Sequence, residues 1–285
     1  MGVLVAAALA VIQGVFMFVP VSSTSHLALA QHLLDHWGVD LPAPESAEMI
    51  LFDLVLHVGT VVSIVVVMWP RLRSGTSRLV SELGDVRRGG RGLCGGPAMR
   101  FVGLIAVAVF VTGVLGLAVR AAAPSVFARP AAIAVMLLIT GALLWWTDRA
   151  RSGTVSTAQI GLAMAAAIGV AQALALLPGL SRSGLTIAAA LALGLRRGTA
   201  AEFSFVLAIP TIIAATGVQW FLVAGDGEPI TIGVPEFAVG FVVAAAVGTV
   251  ALRLVLRLLH AARFRVFTPY VWGLAVLVLI VAPEV

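Results

Sequence analysis

Charge is scarce in this sequence. Of 285 residues only 31 are charged, 18 basic and 13 acidic, while 61% are hydrophobic. A soluble domain carries roughly 25% charged and about 45–50% apolar residues, so a chain with 11% charge cannot cover itself with polar surface. An ordinary soluble enzyme is excluded. Lysine is absent, every basic residue being arginine, which removes lysine Schiff-base chemistry and the phosphate-binding lysine of P-loop nucleotide hydrolases. The one cysteine, Cys94, stands in a Gly- and Arg-rich stretch; neither an intramolecular disulfide nor a thiolate metal cluster can form. The arginines lie in the gaps between apolar segments rather than in a block, so the basic balance does not point to nucleic acid.

What is abundant is long apolar sequence. Windows at Leu51–Trp69, Phe101–Val119, Ala131–Trp146, Phe203–Val223, Phe237–Leu256 and Val266–Ala282 are six expected transmembrane helices, each near the roughly 20 residues that a bilayer requires. The apolar first twenty residues have no positive n-region, and they read as mature protein rather than a signal peptide. Two further apolar stretches are broken by polar residues: Val3–Leu34 at VPVSSTSH, and Ile160–Leu195 at PGLSRSG. Each is expected to enter and leave the membrane by one face, as a re-entrant helical hairpin.

The two broken stretches resemble each other. Val11-Ile-Gln13 precedes Pro20-Val-Ser22-Ser23-Thr24, and Val170-Ala-Gln172 precedes Pro178-Gly-Leu-Ser181-Arg182-Ser183. Each is followed by three apolar segments, which predicts two copies of one unit, residues 1–147 and 148–285. A hairpin adds no crossing and three spans add an odd number, so the second copy is upside down relative to the first. The expected fold is an all-α polytopic membrane protein with six transmembrane helices and two re-entrant hairpins in an inverted-topology repeat. With both termini outside, the stretch from Pro70 to Arg100 is an expected cytoplasmic loop, and fifteen of the eighteen arginines fall on the cytoplasmic side and only Arg120 and Arg129 outside, beside Asp40, Glu45, Glu48, Asp226 and Glu228. The positive-inside rule selects this orientation. One arginine remains, Arg182, inside the second break.

Irregular backbone at membrane depth persists only where protein buries it or water lines it, so two breaks entering from opposite faces predict a polar site where they meet. Arg182 offers a planar fork of donors suited to phosphate. Ser181, Ser183 and Thr186 add hydroxyls, and a helix starting after the break would turn free N–H groups toward an anion. The first break supplies Ser22, Ser23, Thr24, Ser25 and His26; a serine three residues before a histidine pairs a nucleophile with a base. Hydroxyl residues in membrane helices also simply bond back to carbonyls, and His26 has no acid partner fixed by local spacing. Asp53 and His57, four apart, sit at the mouth of the first full span, and Glu202 near Arg196 and Arg197 complements a helix dipole.

PGLSRSGLT at 178–186, VPVSSTSH at 19–26, FDLVLHVGT at 52–60 and AEFSF at 201–205 together resemble the undecaprenyl-diphosphatase family linked to bacitracin resistance, in the same order and over nearly the whole chain. The resemblance implies an enzyme of the bacterial plasma membrane that removes the terminal phosphate of undecaprenyl diphosphate, recycling the lipid carrier of cell-wall synthesis. It implies a site open to the outer face and a divalent cation, Mg or Ca. Carried over residue by residue, the nucleophile falls on Ser23, the histidine on His26 and the phosphate-binding residues on Ser181, Arg182 and Ser183, with Thr186 closing the motif and Gln13 and Ser22 beside the substrate. The expected partners are the polyprenyl diphosphate lipid and the bilayer, and a homodimer is an assembly the resemblance admits.

The family also has an E/Q-x-x-x-E motif before the first break, where this sequence reads Gln13-Gly-Val-Phe-Met17. Residues 13 and 17 share a helix face, so the second carboxylate expected there is missing; Ser25 likewise replaces a customary glycine. Phosphoryl transfer relies on charge neutralisation and proton handling, so loss of that acid touches turnover more than binding. Two readings follow: a lipid diphosphatase in which Glu202 or Asp53 supplies the acid, or a weak relative that binds or transports polyprenyl phosphates.

Overall fold

The computed structural model describes residues 1–44, 46–88, 96–122, 129–226 and 230–281. Glu45, Arg91, Cys94 and Glu228 lie outside the described residues. Among the described residues ten α-helices follow in order: α1 (Val3–Phe16), α2 (Ser23–His36), α3 (Ala47–Arg87), α4 (Pro97–Ala122), α5 (Pro130–Arg149), α6 (Leu162–Leu174), α7 (Arg182–Ala192), α8 (Arg197–Asp226), α9 (Val234–His260) and α10 (Thr268–Val281). No strand occurs among the described residues; a single parallel bridge joins Val155 to Leu195.

Five of the helices are long and apolar enough to cross a membrane: Ala47–Arg87, Pro97–Val119, Ala131–Arg149, Arg197–Gly225 and Val234–His260. Their outward faces carry Phe110, Leu117, Trp220, Phe221 and Val242 in the open, an apolar surface too extensive for water and suited to lipid. The protein is an all-α polytopic membrane protein. The sixth window differs from its expectation: it begins in a 3-10 turn at Phe264–Phe267, and α10 itself has 14 residues. Arg263 precedes that turn and Arg265 lies within it, and the Asp148 carboxylate accepts from the N–H groups of Phe264 (2.7 Å) and Arg265 (2.8 Å).

The stretch after Trp69 also differs from a loop. Helix α3 runs through Pro70 to Arg87, 41 residues in all, or about 60 Å at 1.5 Å per residue. Pro70 removes one backbone donor, and Ser74, Ser77 and Ser81 each bond back to a carbonyl three residues earlier, those of Arg71, Ser74 and Arg78, as hydroxyl side chains on helices commonly do. Helix α4 starts beyond it because the Glu82 carboxylate accepts from the N–H groups of Ala98 (3.1 Å) and Met99 (2.8 Å). At the end of α5, the Arg197 guanidinium donates to the carbonyls of Thr147 (2.8 Å) and Ala150 (2.9 Å). Several arginines therefore do local work beyond marking a face.

The short helices pack on distant ones. α1 pairs with α2 and lies along α9; α6 pairs with α7 and lies along α4; α3 packs on α8 and α9, and α5 on α10. Small residues permit these approaches. A Cβ at Gly14 of α1 would lie 2.9 Å from the Val247 Cβ and 3.0 Å from the Gly248 N, and one at Gly169 of α6 would lie 2.7 Å from the Ala108 carbonyl oxygen. Between α3 and α9 the contact runs through Gly59, Gly240 and Gly248, with Ser63 donating to the Ala245 carbonyl at 2.8 Å. The buried core centres on Phe18, Phe203, Phe205 and Leu207, and Phe18 meets Phe205 edge to face at 5.8 Å. Phe18 belongs to the first break, so the breaks sit against the middle of the core.

Candidate functional site

The first break begins where α1 ends at Phe16 and Pro20 forbids its continuation. Ser22 then takes φ +70°, a left-handed conformation costing about 1–3 kcal/mol in a residue other than glycine. That turn aims the Ser22 carbonyl back at His26, whose Nδ1 donates to it at 2.7 Å. With its proton on Nδ1, the imidazole accepts at Nε2, and the Tyr270 hydroxyl of α10 donates there at 2.7 Å. Phe16 stacks on the imidazole with ring centroids 3.9 Å apart. Ser23, half-buried in the first turn of α2, stands one turn before His26 on the same helix. Ser22 Oγ is engaged by Ser25 Oγ at 3.0 Å and Thr24 Oγ1 at 3.3 Å.

The second break turns at Gly179, with φ +94° and the Ile133 carbonyl oxygen 2.5 Å from where a Cβ would lie; only glycine fits. Thr140 of α5 fixes this turn by donating to the Gly179 carbonyl (2.8 Å) and accepting from the Ser181 N–H (3.2 Å). Ser181 Oγ in turn accepts from the Gly184 N–H at 3.2 Å, capping α7. Thr186 Oγ1 donates to the Arg182 carbonyl (2.8 Å) and lies 2.5 Å from Ser204 Oγ of α8, so it ties α7 to α8.

The two breaks touch. Arg182 Nη2 lies 3.2 Å from the Met17 sulfur, Ser183 Oγ donates to the Phe18 carbonyl at 3.4 Å, and a Cβ at Gly184 would lie 3.4 Å from the Pro20 Cβ. Gln13 is fully buried one turn before Met17; its Nε2 points at the Met17 sulfur at 3.5 Å, and its Oε1 has no partner among the described residues. Two ion pairs occur among the described residues, the N-terminus with Asp40 (3.7 Å) and Arg71 with Glu202 (3.6 Å). Neither includes Arg182, which faces a thioether instead of a carboxylate.

Neither acid named from the sequence contacts Arg182 among the described residues. Asp53 of α3 accepts from Gln31 Nε2 through both oxygens (2.9 and 3.1 Å). One turn on, His57 donates to the Asp53 carbonyl at 2.7 Å and lies close enough to Arg182 for the two to interact electrostatically. Glu202 reaches Arg71, 14 residues beyond His57 on α3 and so about 21 Å along that helix. The pair lines a separate cleft of about 490 Å³ with Arg78, Arg100 and Phe101. Tyr270 and Thr140 escaped the sequence reading because neither lies in a motif; the one available signal was that Tyr270 is the chain's only tyrosine.

The model for the family described as bacitracin resistance protein BacA matches residues 6–277. The chain belongs to the BacA family. Among curated BacA relatives, the undecaprenyl-diphosphatase of Alkalilimnicola ehrlichii is 53% identical over 277 residues, covering 96% of this chain and 95% of that protein. That of Halorhodospira halophila is 48% identical over 282 residues, covering 98% of each, and that of Methanosphaera stadtmanae is 30% identical over 284 residues, also covering 98% of each.

The divalent cation expected from the BacA resemblance does not fit the residues present. A hard divalent cation takes oxygen ligands, commonly including one or two carboxylates. Beside Arg182 the chain offers one carboxamide oxygen, Gln13 Oε1, several hydroxyls and the soft thioether of Met17. Among the described residues no three of the His, Cys, Asp and Glu side chains converge. The positive charge at this contact is Arg182 itself. Chemically the second break is suited to an anion, with a guanidinium fork, the first N–H groups of α7 and the hydroxyls of Ser181 and Ser183, while Ser23 and the oriented imidazole of His26 stand on the first.

Proposed function

We propose that this protein hydrolyses undecaprenyl diphosphate to undecaprenyl phosphate and orthophosphate, recycling the carrier of cell-wall synthesis and conferring bacitracin resistance. The observation that carries the reading is Arg182, held at the contact of the two breaks without a carboxylate partner among the described residues. An uncompensated guanidinium inside a membrane protein is costly, and a diphosphate supplies two phosphoryl groups with the geometry its fork matches. The named activity of the BacA relatives agrees.

In this reading Arg182 and the N-terminus of α7 hold the terminal phosphoryl group, with Ser181 and Ser183 donating to its oxygens. Ser23 attacks the terminal phosphorus or orients the attacking water, and the bond to the bridging oxygen breaks. Water supplies the oxygen that leaves on orthophosphate, and the proton passes to His26 Nε2 as the Tyr270 hydroxyl turns away, Nδ1 staying on the Ser22 carbonyl. Gln13 and Ser22 border the bound phosphates. Glu202 is paired with Arg71 and Asp53 is held by Gln31, so neither acid touches Arg182.

The finer architecture belongs to the same proposal: six spans, two re-entrant hairpins, and an inverted repeat of residues 1–147 and 148–285. Its support is the crossed packing, since α1 lies on α9 as α6 lies on α4. It is also supported by the lengths of α1, α2, α6 and α7, at 14, 14, 13 and 11 residues too short for the roughly 30 Å hydrocarbon core, whereas α10, also 14 residues, is lengthened into the sixth span by the turn Phe264–Phe267 before it. The arginine distribution supports both termini outside, and the BacA resemblance supports a site opening to the outer face of the bacterial plasma membrane.

Purified protein supplied with undecaprenyl diphosphate should release orthophosphate in many turnovers. Tight binding of the lipid with less than one turnover per molecule would replace the phosphatase by a binding or transport protein. Tyr270→Phe keeps the ring but removes the hydroxyl that holds His26. Because Tyr270 is half exposed, its thermal midpoint should be unchanged within a few degrees while phosphate release falls about tenfold, less than the full effect of a general base.

A further inference from the structure

The contact between Met17 and Arg182 carries a consequence for how the site is charged. In a metal-assisted site a carboxylate at position 17 would share a cation with the substrate phosphates. Here the thioether fills that place, and Arg182 Nη2 rests on it at 3.2 Å. The Gln13 carboxamide points its NH₂ group at the same sulfur, so two donors converge where a metal ligand would need acceptors. A divalent ion brought beside residue 17 would stand next to a fixed positive charge without an anionic ligand to offset the repulsion. The acids that could supply one are engaged elsewhere, Asp53 by Gln31 and Glu202 by Arg71.

We propose that this protein cleaves its lipid diphosphate without a protein-held divalent cation, Arg182 seated against Met17 being the resident positive charge. The inference rests on the diphosphatase reading above. The reaction balances without a metal: water's oxygen bonds to the terminal phosphorus, the bridging P–O bond breaks, the lipid monophosphate keeps the bridging oxygen, and the released proton leaves through His26 to solvent. Charge on the terminal phosphoryl oxygens is met by the guanidinium fork and by the N–H groups at the start of α7.

The test uses full-length protein stripped with EDTA and dialysed, with phosphate release followed in EDTA and in millimolar Mg²⁺ or Ca²⁺. Rates within about twofold across the arms are expected; a fall of tenfold or more in EDTA, restored by either ion, overturns the inference while leaving the diphosphatase reading intact. Absence of release in every arm defeats the diphosphatase reading and the inference with it. A second arm needs no activity: Mn²⁺ binding, read by electron paramagnetic resonance. Wild type should bind no stoichiometric Mn²⁺ at this site, and Met17→Glu should gain one bound ion per chain. A stoichiometric site in wild type that Arg182→Ala leaves in place, or no gain in a folded Met17→Glu variant, overturns the assignment of this role to the Met17–Arg182 contact.

Discussion

Arg182→Ala should lower phosphate release from undecaprenyl diphosphate by about a thousandfold, the scale on which single stabilisers of a developing oxyanion or a transferring phosphoryl group act. The guanidinium is the one cation at the contact of the two breaks, and no carboxylate faces it among the described residues. Its partner on the protein side is a thioether, which cannot repay the desolvation of a charge. Removing the side chain should therefore leave the thermal midpoint unchanged or raise it, while activity collapses. Arg182→Lys keeps the charge but loses the planar fork, and should recover only a small part of the rate. A variant that unfolds on losing Arg182, or one that turns over normally, would remove this residue from the centre of the mechanism. Measuring turnover and thermal unfolding on the same purified samples separates the cases.

Gly59→Leu should be among the most destabilising single substitutions in the chain. Where α3 meets α9, a Cβ at position 59 would lie 2.5 Å from the Phe241 carbonyl oxygen and 3.2 Å from the Ala244 Cβ. The first obstacle is backbone, which cannot swing aside as a side chain would. Overpacking a tight interface costs about 3 kcal/mol when the helices must separate. Leucine is a better helix former than glycine, so intrinsic propensity opposes the loss and isolates the packing effect. Gly103→Leu on α4 is the control, because nothing lies within 4 Å of a Cβ there; it should unfold at or above the wild-type temperature. Equal unfolding temperatures for the two variants would contradict the close approach of α3 and α9.

Much of the fold was legible because membrane spans announce themselves by length and composition. Five of the expected windows lie in helices of sufficient length. The sixth begins in a 3-10 turn because Asp148, more than a hundred residues earlier, caps it, and such a tertiary cap leaves no trace in local hydropathy. The helical run from Pro70 to Arg87 differs from the expected loop: arginine and serine look like loop residues when every neighbouring segment is apolar, yet α3 carries on through them. At the site, the breaks and Arg182 stood out because polar residues inside apolar sequence are rare and expensive. Which residue would touch Arg182 was not legible. Met17 registered only as a missing acid, yet it is the atom the guanidinium rests on. Tyr270 acts on His26 across 244 residues of sequence, a separation at which spacing arguments have no reach.

The crossed packing of the hairpins bears on how this chain is made. Gly14 of α1 meets Val247 of α9, 233 residues later. Until α9 has been synthesised, the first hairpin lacks the surface that covers it, and the buried Gln13 amide and the strained Ser22 turn have no completed enclosure. The second hairpin, by contrast, finds α4 already in the bilayer. Assembly is thus asymmetric in time although each hairpin lies along one long helix: the amino-terminal hairpin is inserted first and enclosed among the last. A ribosome stalled before residue 234 should leave that segment open to proteases and insertases, and one stalled after residue 260 should not.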